Sequence, residues 1–567
     1  MKNIVLLIIL LSFGNQLKAQ EKRDFVTFIN RQHGWVDSVY KKLNKRERIA
    51  QLFMVRTHTN LGQNYIDSVA KVIKREKLGG IVLFQGGPVR HANLINRYQS
   101  LSEVPLLVAI DGEWGLGMRL PDSTISYPYQ MALGAIQDNS LIYTMGQNVA
   151  KDLKRLGVNI NFAPVVDINN NPRNPVINYR SFGENRENVT QKGISYMKGM
   201  MDEGVIVSLK HFPGHGDTDV DSHHDLPKLD FSKSRLDSLE IYPFKKLIEE
   251  GASGVMVAHL NIPSLDNTPN LPSSLSKNVV TDILKKELNF NGLVFTDAMD
   301  MDGVVKYFRN GEADVRAIIA GNDVLELSKN SKRANKMIRK AIRTDRIDED
   351  ELTKRVKKVL AAKYWLGLNN LKPVQTQSLY ADLNRDSSKL FNQLLADNSI
   401  TLLKGKEELA GNSFSKKTAV ISIGTEKISF FQSILGKSFD NQLNFILSSN
   451  ATTDEIVKVN SALRNYEQVI IALHDENIRP GSVLRYNENV KLFISELASR
   501  NAQFIVFANP YTIASLPGIE ASRVIVVAYQ NDETMQTSGA RVFLKQIEAK
   551  GKLPVTVNSF FKYGDGL

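Results

Sequence analysis

The chain has 567 residues, of which 42% are hydrophobic and 23% are charged, with a formal net charge of +12 and no cysteine. One hydrophobic core rarely supports this length, so we expect two or more domains, and the composition excludes a disordered chain or a membrane bundle. The lack of cysteine excludes disulfides, zinc–thiolate sites and cysteine nucleophiles. The lysines and arginines are spread over many helical stretches without interleaved aromatic residues, so we expect no nucleic-acid partner.

Residues 1–19 have the pattern of a secretory signal peptide. Lys2 precedes the apolar run 4–13, and Ala19 is a small residue at a plausible cleavage point. A membrane anchor is the alternative, but the run is about half of the roughly 20 residues needed to span a bilayer. We therefore expect an exported protein, periplasmic or secreted, without a stable membrane anchor.

Apolar runs separated by helical patterns fill the chain from residue 51 to residue 327. The runs are continuous rather than alternating, which is typical of strands buried on both faces of a parallel sheet. Eight such runs predict a TIM-like (β/α)8 barrel over residues 20–368. The predicted strands are 51–57, 79–85, 105–111, 159–167, 205–212, 254–260, 293–299 and 323–327. The helices predicted around them are 37–51, 65–76, 90–101, 140–156 and 346–365.

Residues 369–384 are predicted to be a linker, and a second α/β set follows over residues 385–567. Its six apolar runs alternate with helices such as 487–497 and predict an α/β sandwich, with an open, mostly parallel sheet between helices. Neither a GxGxxG motif nor a P-loop is present, so we expect no nucleotide there. The predicted strands are 399–404, 418–424, 444–449, 468–473, 503–508 and 523–528.

The stretch 210–227, KHFPGHGDTDVDSHHDLP, holds four of the nine histidines and follows a predicted strand. Its prolines and glycines predict a loop that presents titratable groups. Asp221 stands two residues before His223, so its carboxylate can orient the imidazole and make it a general acid/base near neutral pH. A solvated loop histidine beside an aspartate is the alternative. His211 and His215 have the spacing of a helical zinc site, but the loop residues argue against a helix, so we expect no metal and no cofactor.

Polar residues recur where the predicted barrel strands end, and in a barrel those ends converge on one pocket. Asp297 is one of them and can attack a substrate as a nucleophile. The alternative is that it caps the next helix, whose first turn is predicted to hold Asp300 and Asp302. The residues at or near strand ends are Asp111, Asp167, Lys210, His211, His259, Asp297 and Glu326.

A further set of charged residues suits the recognition of vicinal hydroxyl groups by directional hydrogen bonds. Ordinary ion pairing is the alternative for each. The set comprises Asp111, Arg119, Arg180, Lys210 and His211.

Six motifs together resemble glycoside hydrolase family 3, specifically its β-N-acetylglucosaminidase branch. The stretch 210–227 carries most of the resemblance, which covers residues 42–368. The segment GKLPV at 551–555 links the tail more weakly to the α/β sandwich of two-domain members. The five supporting motifs are DGEWGLGMR (111–119), APVVD (163–167), RSFGE (180–184), VAHLNIP (257–263) and GLVFTDAMDM (292–301).

The resemblance implies an exo-acting, retaining enzyme that releases N-acetylglucosamine from peptidoglycan fragments or related oligosaccharides. It implies that Asp297 is the nucleophile, His223 the acid/base and Asp221 the partner of His223. It also implies sugar contacts by the charged set that includes Arg180. Residues 111–115 depart from the DQEGG pattern common in the family, and Trp114 could stack on a sugar or pack the loop.

Two alternatives remain at this point. An imidazole base repels anions less than a carboxylate does, so phosphate could replace water and make the enzyme a β-N-acetylglucosaminide phosphorylase. The other alternative is a non-catalytic sugar-binding protein on the same scaffold, which the presence of Asp221, His223 and Asp297 disfavours.

Overall fold

The structure, a computed structural model, describes residues 24–221, 225–475 and 484–567. It divides into two compact units, each built from three segments of the chain. The first unit comprises residues up to 126, 142–167 and 193–385, and the second comprises 127–141, 168–192 and 386–567. The predicted signal peptide and the predicted acid/base His223 lie outside the described ranges.

A ring of parallel strands forms the centre of the first unit and confirms the predicted TIM-like barrel. Within the described residues the strands are β1 (Phe53–Thr57), β2 (Gly80–Leu83), β3 (Leu107–Ile110), β4 (Ile160–Asn161), β5 (Ile206–Val207), β6 (Leu209–Phe212), β7 (Gly254–Val257), β8 (Leu293–Thr296) and β9 (Leu325–Glu326). Only Ser208 separates β5 from β6, so the two act as one strand of the ring.

Strand pairing follows chain order around this ring. β1 to β5 pair in sequence, and β6 pairs with β7 and β7 with β8. A parallel bridge between Phe295 and Val324 joins β8 to β9, and β9 closes the ring by pairing with β1 at Phe53–Leu325. All the carboxyl ends therefore lie at one rim, which we call the mouth of the barrel.

The barrel strands are buried on both faces, as their continuous apolar sequences predict. All four residues of β2 are buried, and so are those of β3, β7 and β8. Phe162 and Phe295 belong to the hydrophobic core, and their rings meet edge to face with centroids 5.5 Å apart. Burial of this apolar surface stabilises the scaffold that carries the mouth.

Helices alternate with the barrel strands. The single helix predicted over 37–51 is wrong, because Leu43 leaves helical geometry with ψ 134° and Asn44 caps a new helix through the backbone N–H of Glu47. The described helices of this region are Phe25–Ile29, Gly34–Lys42, Lys45–Ala50, Gln63–Glu76, Pro88–Ser100, Leu116–Met118, Asn139–Leu156, Arg186–Asp202, Lys233–Ser238, Tyr242–Glu249, Ser273–Leu275, Asn278–Glu287, Asp302–Val305, Glu312–Ala320, Ser331–Arg343, Glu349–Trp365, Leu368–Asn370 and Leu379–Leu383.

The second unit contains the mostly parallel sheet that the sequence predicts. Its strands are β10 (Thr401–Lys404), β11 (Thr418–Ile423), β12 (Gln442–Leu447), β13 (Gln468–His474), β14 (Gln503–Phe507) and β15 (Val524–Val527). They lie in the order β10-β15-β14-β13-β11-β12, and only the β10–β15 pair is antiparallel among the described strands. Its described helices are Gln130–Ala135, Asn178–Arg180, Asp386–Ser399, Lys406–Ala410, Phe430–Leu435, Thr453–Leu463, Glu488–Ser499, Pro510–Ser515, Ile519–Ala521 and Glu533–Phe543.

The two units divide the chain differently from the predicted domains. Segments 127–141 and 168–192, which the sequence prediction placed in the barrel, belong to the second unit. The predicted linker 369–384 belongs to the first unit, where Val374 exchanges two hydrogen bonds with the side chain of Asn96. No helix in the described part of the chain is long and apolar enough to cross a membrane.

Candidate active site

The mouth of the barrel collects polar side chains from several strands. Asp111 follows β3, Lys210 and His211 lie in β6, Asp297 follows β8, and Glu326 ends β9. Each stands at a strand end, where the sequence predictions placed it. Because parallel strands end at one rim, these side chains share one mouth although up to 215 residues separate them in the chain.

Two cations hold two carboxylates on one side of the mouth. Lys210 Nζ lies 2.8 Å from Asp111 Oδ1 and 2.8 Å from Glu113 Oε1, and Arg119 donates to Asp111 Oδ2. The side chains of Lys210 and Glu113 are 2% and 0% exposed. Burial alone would raise the pKa of Asp111, but Lys210 and Arg119 outweigh it and hold this pKa below its usual range. Asp111 is therefore an anion that can accept hydrogen bonds from a ligand's hydroxyl groups.

Arg56 and Phe84 extend this cluster, and the sequence analysis missed both. The guanidinium groups of Arg56 and Arg119 lie 4.8 and 4.6 Å from the centre of the Phe84 ring. Arg56 also pairs with Asp300 at 3.3 Å. The helix expected to include Asp300 begins only at Asp302, so that prediction is wrong for Asp300. The available signal was an arginine that interrupts an otherwise apolar strand run, and its side chain is 40% exposed in the structure.

Asp167 organises a second cluster around the start of the loop. It accepts hydrogen bonds from the backbone N–H of His215 at 2.8 Å and of His211 at 3.1 Å, and its Oδ2 lies 2.7 Å from His211 Nδ1. Burial would raise the pKa of Asp167, but His211 outweighs it and lowers this pKa. Burial and His211 lower the pKa of His215 to about 4, so His215 is neutral at pH 7 and its Nδ1 lies 2.9 Å from Thr218 Oγ1. These bonds fix the strand end that carries Lys210.

Asp297 is half-buried where β8 reaches the mouth. Its backbone N–H donates to Val257 O at 3.0 Å, and its Oδ1 accepts the backbone N–H of Ala298 at 2.7 Å. The next helix begins at Asp302 with Met301 at its N-cap, so the helix-capping alternative for Asp297 is wrong. The carboxylate is instead presented at the barrel mouth, where a nucleophile is useful.

His259 positions the peptide that follows Asp297. Its Nε2 lies 3.0 Å from Ala298 O, and its Nδ1 lies 2.6 Å from Ser274 Oγ. A carbonyl can only accept, so Nε2 carries a proton and donates to Ala298 O. The sequence analysis placed His259 at a strand end but gave it no role.

Glu326 is buried between the ends of β8 and β1. Its backbone N–H donates to Thr296 Oγ1 at 3.0 Å, and its carbonyl accepts the N–H of Met299 at 2.9 Å. Burial, followed by the charges of Asp111 and Asp297, raises the pKa of Glu326 well above its usual range. The mouth therefore holds one carboxyl whose pKa is lowered, Asp111, and one whose pKa is raised, Glu326.

The remaining predicted site residues are placed as follows. Asp221 is half-buried in the loop after β6, but His223 lies outside the described residues, so their pairing stays a prediction. Arg180 belongs to the second unit, where its Nη1 donates to Val176 O at 3.1 Å, and its sugar-binding role also stays a prediction. Trp114 is buried, which agrees with the packing alternative.

Comparisons with known proteins give matches over most of the chain. Residues 45–362 match the model of the glycosyl hydrolase family 3 N-terminal domain. A beta-hexosaminidase A from Pseudoalteromonas piscicida is 28% identical over 551 residues, covering 86% of this chain and 91% of that protein. A beta-N-acetylglucosaminidase/beta-glucosidase from Cellulomonas fimi is 28% identical over 378 residues, covering 65% of this chain and 66% of that protein.

Solved structures extend the similarity over both units. A glycoside hydrolase family 3 beta-N-acetylglucosaminidase from Paenibacillus sp. str. FPU-7 is 29% identical and superposes with a TM-score of 0.76, covering 91% of this chain and 99% of its own. A beta-glucosidase from Listeria innocua is only 18% identical with a TM-score of 0.77, so it supports the fold alone.

Proposed function

The chain belongs to glycosyl hydrolase family 3, and on that premise we propose that it is an exo-acting, retaining β-N-acetylglucosaminidase. As a glycoside hydrolase of the β-N-acetylhexosaminidase type, it acts on a glycan. We propose that it releases N-acetylglucosamine from peptidoglycan fragments or related oligosaccharides. The signal peptide predicted for residues 1–19 and a net charge of +12 suit an enzyme that meets acidic cell-wall polymer outside the cytoplasm.

The observation that carries this proposal is the accessible carboxylate of Asp297 at the mouth that also holds the Asp111–Lys210–Arg119 cluster. Vicinal sugar hydroxyls would bind to the anionic Asp111 and the two cations beside it. A sugar held there would present its anomeric carbon to Asp297. Attack by this carboxylate would form a glycosyl-enzyme and release the leaving group.

We assign the proton transfers to His223, oriented by Asp221. The imidazolium would protonate the departing oxygen, and the imidazole would then remove a proton from the water that hydrolyses the glycosyl-enzyme. Both residues follow β6 in the chain, within 13 residues of Lys210, which lies in that strand. This support is the connectivity of the loop together with the resemblance of the stretch 210–227.

The nucleophile is tested with an aryl N-acetyl-β-glucosaminide. Asp297→Ala should lower kcat about 10³-fold or more, because no other group forms the covalent intermediate. The matched control is Asp302→Asn, since Asp302 is an exposed carboxylate five residues further on. Turnover by Asp297→Ala within tenfold of the wild-type protein would contradict the assignment.

The acid role and the acceptor are tested with two substrates. His223→Ala should slow cleavage of a wall-derived disaccharide much more than cleavage of an aryl glycoside, because a good leaving group needs little protonation. Equal losses on both substrates would contradict the acid role. Product analysis with and without inorganic phosphate identifies the acceptor, and a sugar 1-phosphate formed only with phosphate would replace the hydrolase proposal with the phosphorylase.

A further inference from the structure

The carboxyl group of Glu326 has a position that the proposed chemistry does not use. The residue is 4% exposed, and its Oε2 has no hydrogen-bond partner among the described residues. A buried polar atom without a hydrogen-bond partner destabilises the folded protein. In active sites, such an atom often forms its hydrogen bond with a bound ligand. The backbone N–H and C=O of Glu326 are bonded to Thr296 and Met299, so only the side chain lacks its bonds.

Glu326 ends β9 at the mouth, and charges from several strand ends of the ring act on its carboxyl group. Asp111 follows β3, which is separated from β9 by β1 and β2, whereas Asp297 follows the neighbouring strand β8. Both charges nevertheless act on the Glu326 carboxyl, as do those of Lys210 and Arg119. Because charges that follow strands on opposite sides of the ring both act on the Glu326 carboxyl, this carboxyl lies inside the ring.

Backbone geometry next to Glu326 is strained. Leu327 has φ 51°, in the left-handed region that a leucine rarely adopts, and its N–H donates to Met54 O at 3.0 Å. Strain of this kind is retained where the surrounding structure fixes a residue for function. It ends β9 directly after Glu326 and holds that residue at the rim.

The charges around the mouth determine the protonation state of the Glu326 carboxyl. Lys210 contacts Asp111 and Glu113, and Arg119 contacts Asp111, so both cations are already shared with other carboxylates. Among the ion pairs of the described residues, none joins Glu326 to either cation. A buried carboxyl close to other anions and out of contact with cations keeps its proton, as in other sites where two carboxylates take different roles.

Building on the proposed function, we propose that Glu326 is a sugar-binding residue of this site and that it meets the substrate as an uncharged carboxylic acid, donating its O–H hydrogen bond to a hydroxyl oxygen of the bound sugar. Asp111 accepts hydrogen bonds from sugar hydroxyls and Glu326 gives one, so the pair distinguishes the orientation of a hydroxyl group. The neutral form also leaves Asp297 as the anion that attacks.

Two substitutions separate this role from the alternatives. Glu326→Gln keeps the shape and a donor without charge, so the dissociation constant for N-acetylglucosamine, measured by calorimetry, should stay within about threefold of wild type. Glu326→Leu removes the donor, so it should weaken binding about tenfold, the usual value of one hydrogen bond, and raise KM more than it lowers kcat. Asp314→Asn is the matched control, since Asp314 is also buried and its Oδ1 lacks a partner within the described residues, but it lies in the helix Glu312–Ala320.

The pH dependence gives a readout that a structural role would not produce. The groups facing Glu326 are Asp111 and Arg119 after β3, Lys210 of β6 and Asp297 after β8, while Arg56 of the neighbouring β1 is engaged with Asp300. Sugar binding by the wild-type protein should weaken as the pH rises through the elevated pKa of Glu326. The Glu326→Gln protein should lack this step, because an amide does not titrate in that range.

Thermal unfolding shows whether the two variants fold, and the binding measurements show whether the inference is wrong. Both variants should melt at or above the wild-type temperature at pH 7, because each removes a buried group that must take up a proton to fold. Glu326→Gln as weak in binding as Glu326→Leu would show that a carboxylate is needed, and Glu326→Leu as tight as wild type would show no contact. Either result overturns this inference alone, whereas a wild-type protein that neither binds nor cleaves N-acetylglucosaminides overturns the proposed function as well.

Discussion

Lys210 is the residue on which the electrostatics of the mouth depend. It is almost fully buried and neutralises two carboxylates at once, Asp111 and Glu113. Removing one member of a buried charge cluster is far worse than losing a surface pair, because the remaining charges stay in a medium that solvates them poorly.

Lys210→Met should therefore lower the free energy of unfolding by about 3–5 kcal/mol, as expected when a buried charge loses its partner. Urea denaturation at pH 7 measures it. Lys228→Met is the matched control, since Lys228 pairs with Asp230 at the surface, where both side chains are more than half exposed, and should change stability by less than about 1 kcal/mol. A Lys210→Met protein as stable as the control would contradict the assignment of Lys210 as the central counter-ion.

At the scale of single elements, β9 carries different chemistry at its two ends. Glu326 lies at the mouth, while Asp323 precedes the strand at the opposite end of the barrel. Asp323 lies 3.2 Å from Lys285 Nζ and 3.1 Å from Lys358 Nζ, and its Oδ2 accepts the N–H of Val294. Burial would raise the pKa of Asp323, but these cations outweigh it and lower the pKa to about 2. The end of β9 at the mouth therefore carries a candidate substrate-binding residue, whereas the ion pairs at the opposite end stabilise the fold.

The lowered pKa of Asp323 predicts acid sensitivity. A depressed folded-state pKa stabilises the protein above the unfolded value of 3.8, and this contribution is lost as the pH falls towards about 2. The loss from this one group should be about 2 kcal/mol. Asp323→Asn should remove that part of the pH dependence between pH 5 and pH 2, measured by urea unfolding at each pH. Identical pH dependence in both proteins would show that Asp323 is not stabilised as an anion.

For the whole molecule, the second unit is assembled from distant parts of the chain. Met131 and Ala135 lie in the same hydrophobic core as the sheet of residues 401–527. Glu184 accepts the N–H of Thr556 at 2.8 Å and its hydroxyl at 2.7 Å. Segments 127–141 and 168–192 therefore depend on residues after 386 for their burial and hydrogen bonds.

A chain that ends at residue 385 should consequently fail to fold stably. It would expose the apolar face of the helix Gln130–Ala135 and leave Glu184 without Thr556, so it should aggregate or lack a cooperative unfolding transition. Soluble yield and urea unfolding measure this, and co-expression of residues 386–567 should restore folding. A soluble truncated chain that unfolds cooperatively at the full-length midpoint would contradict the interdependence.

Local sequence patterns determined the eight barrel strands, the six strands of the second sheet and the position of polar residues at the strand ends, since these depend on burial along short runs. The contributions of Arg56, Phe84 and Asp300 were missed because the first two lie inside apolar runs. They become partners only when β1, β2 and the segment after β8 come together. The break at Leu43 was missed because the polar pattern continues through the Asn44 cap.

By itself, the sequence of this protein determined most of the polar side chains that reach the barrel mouth, because the apolar runs that form the strands and the polar residues that end them are encoded locally. Only the tertiary structure decided how the pKa values of the carboxyl groups there are shifted. Asp111 and Glu326 stand at equivalent strand ends, yet contact with Lys210 and Arg119 lowers the pKa of Asp111, whereas burial near two anions raises the pKa of Glu326. Protonation depends on distances between residues far apart in the chain, and those distances exist only in the folded protein.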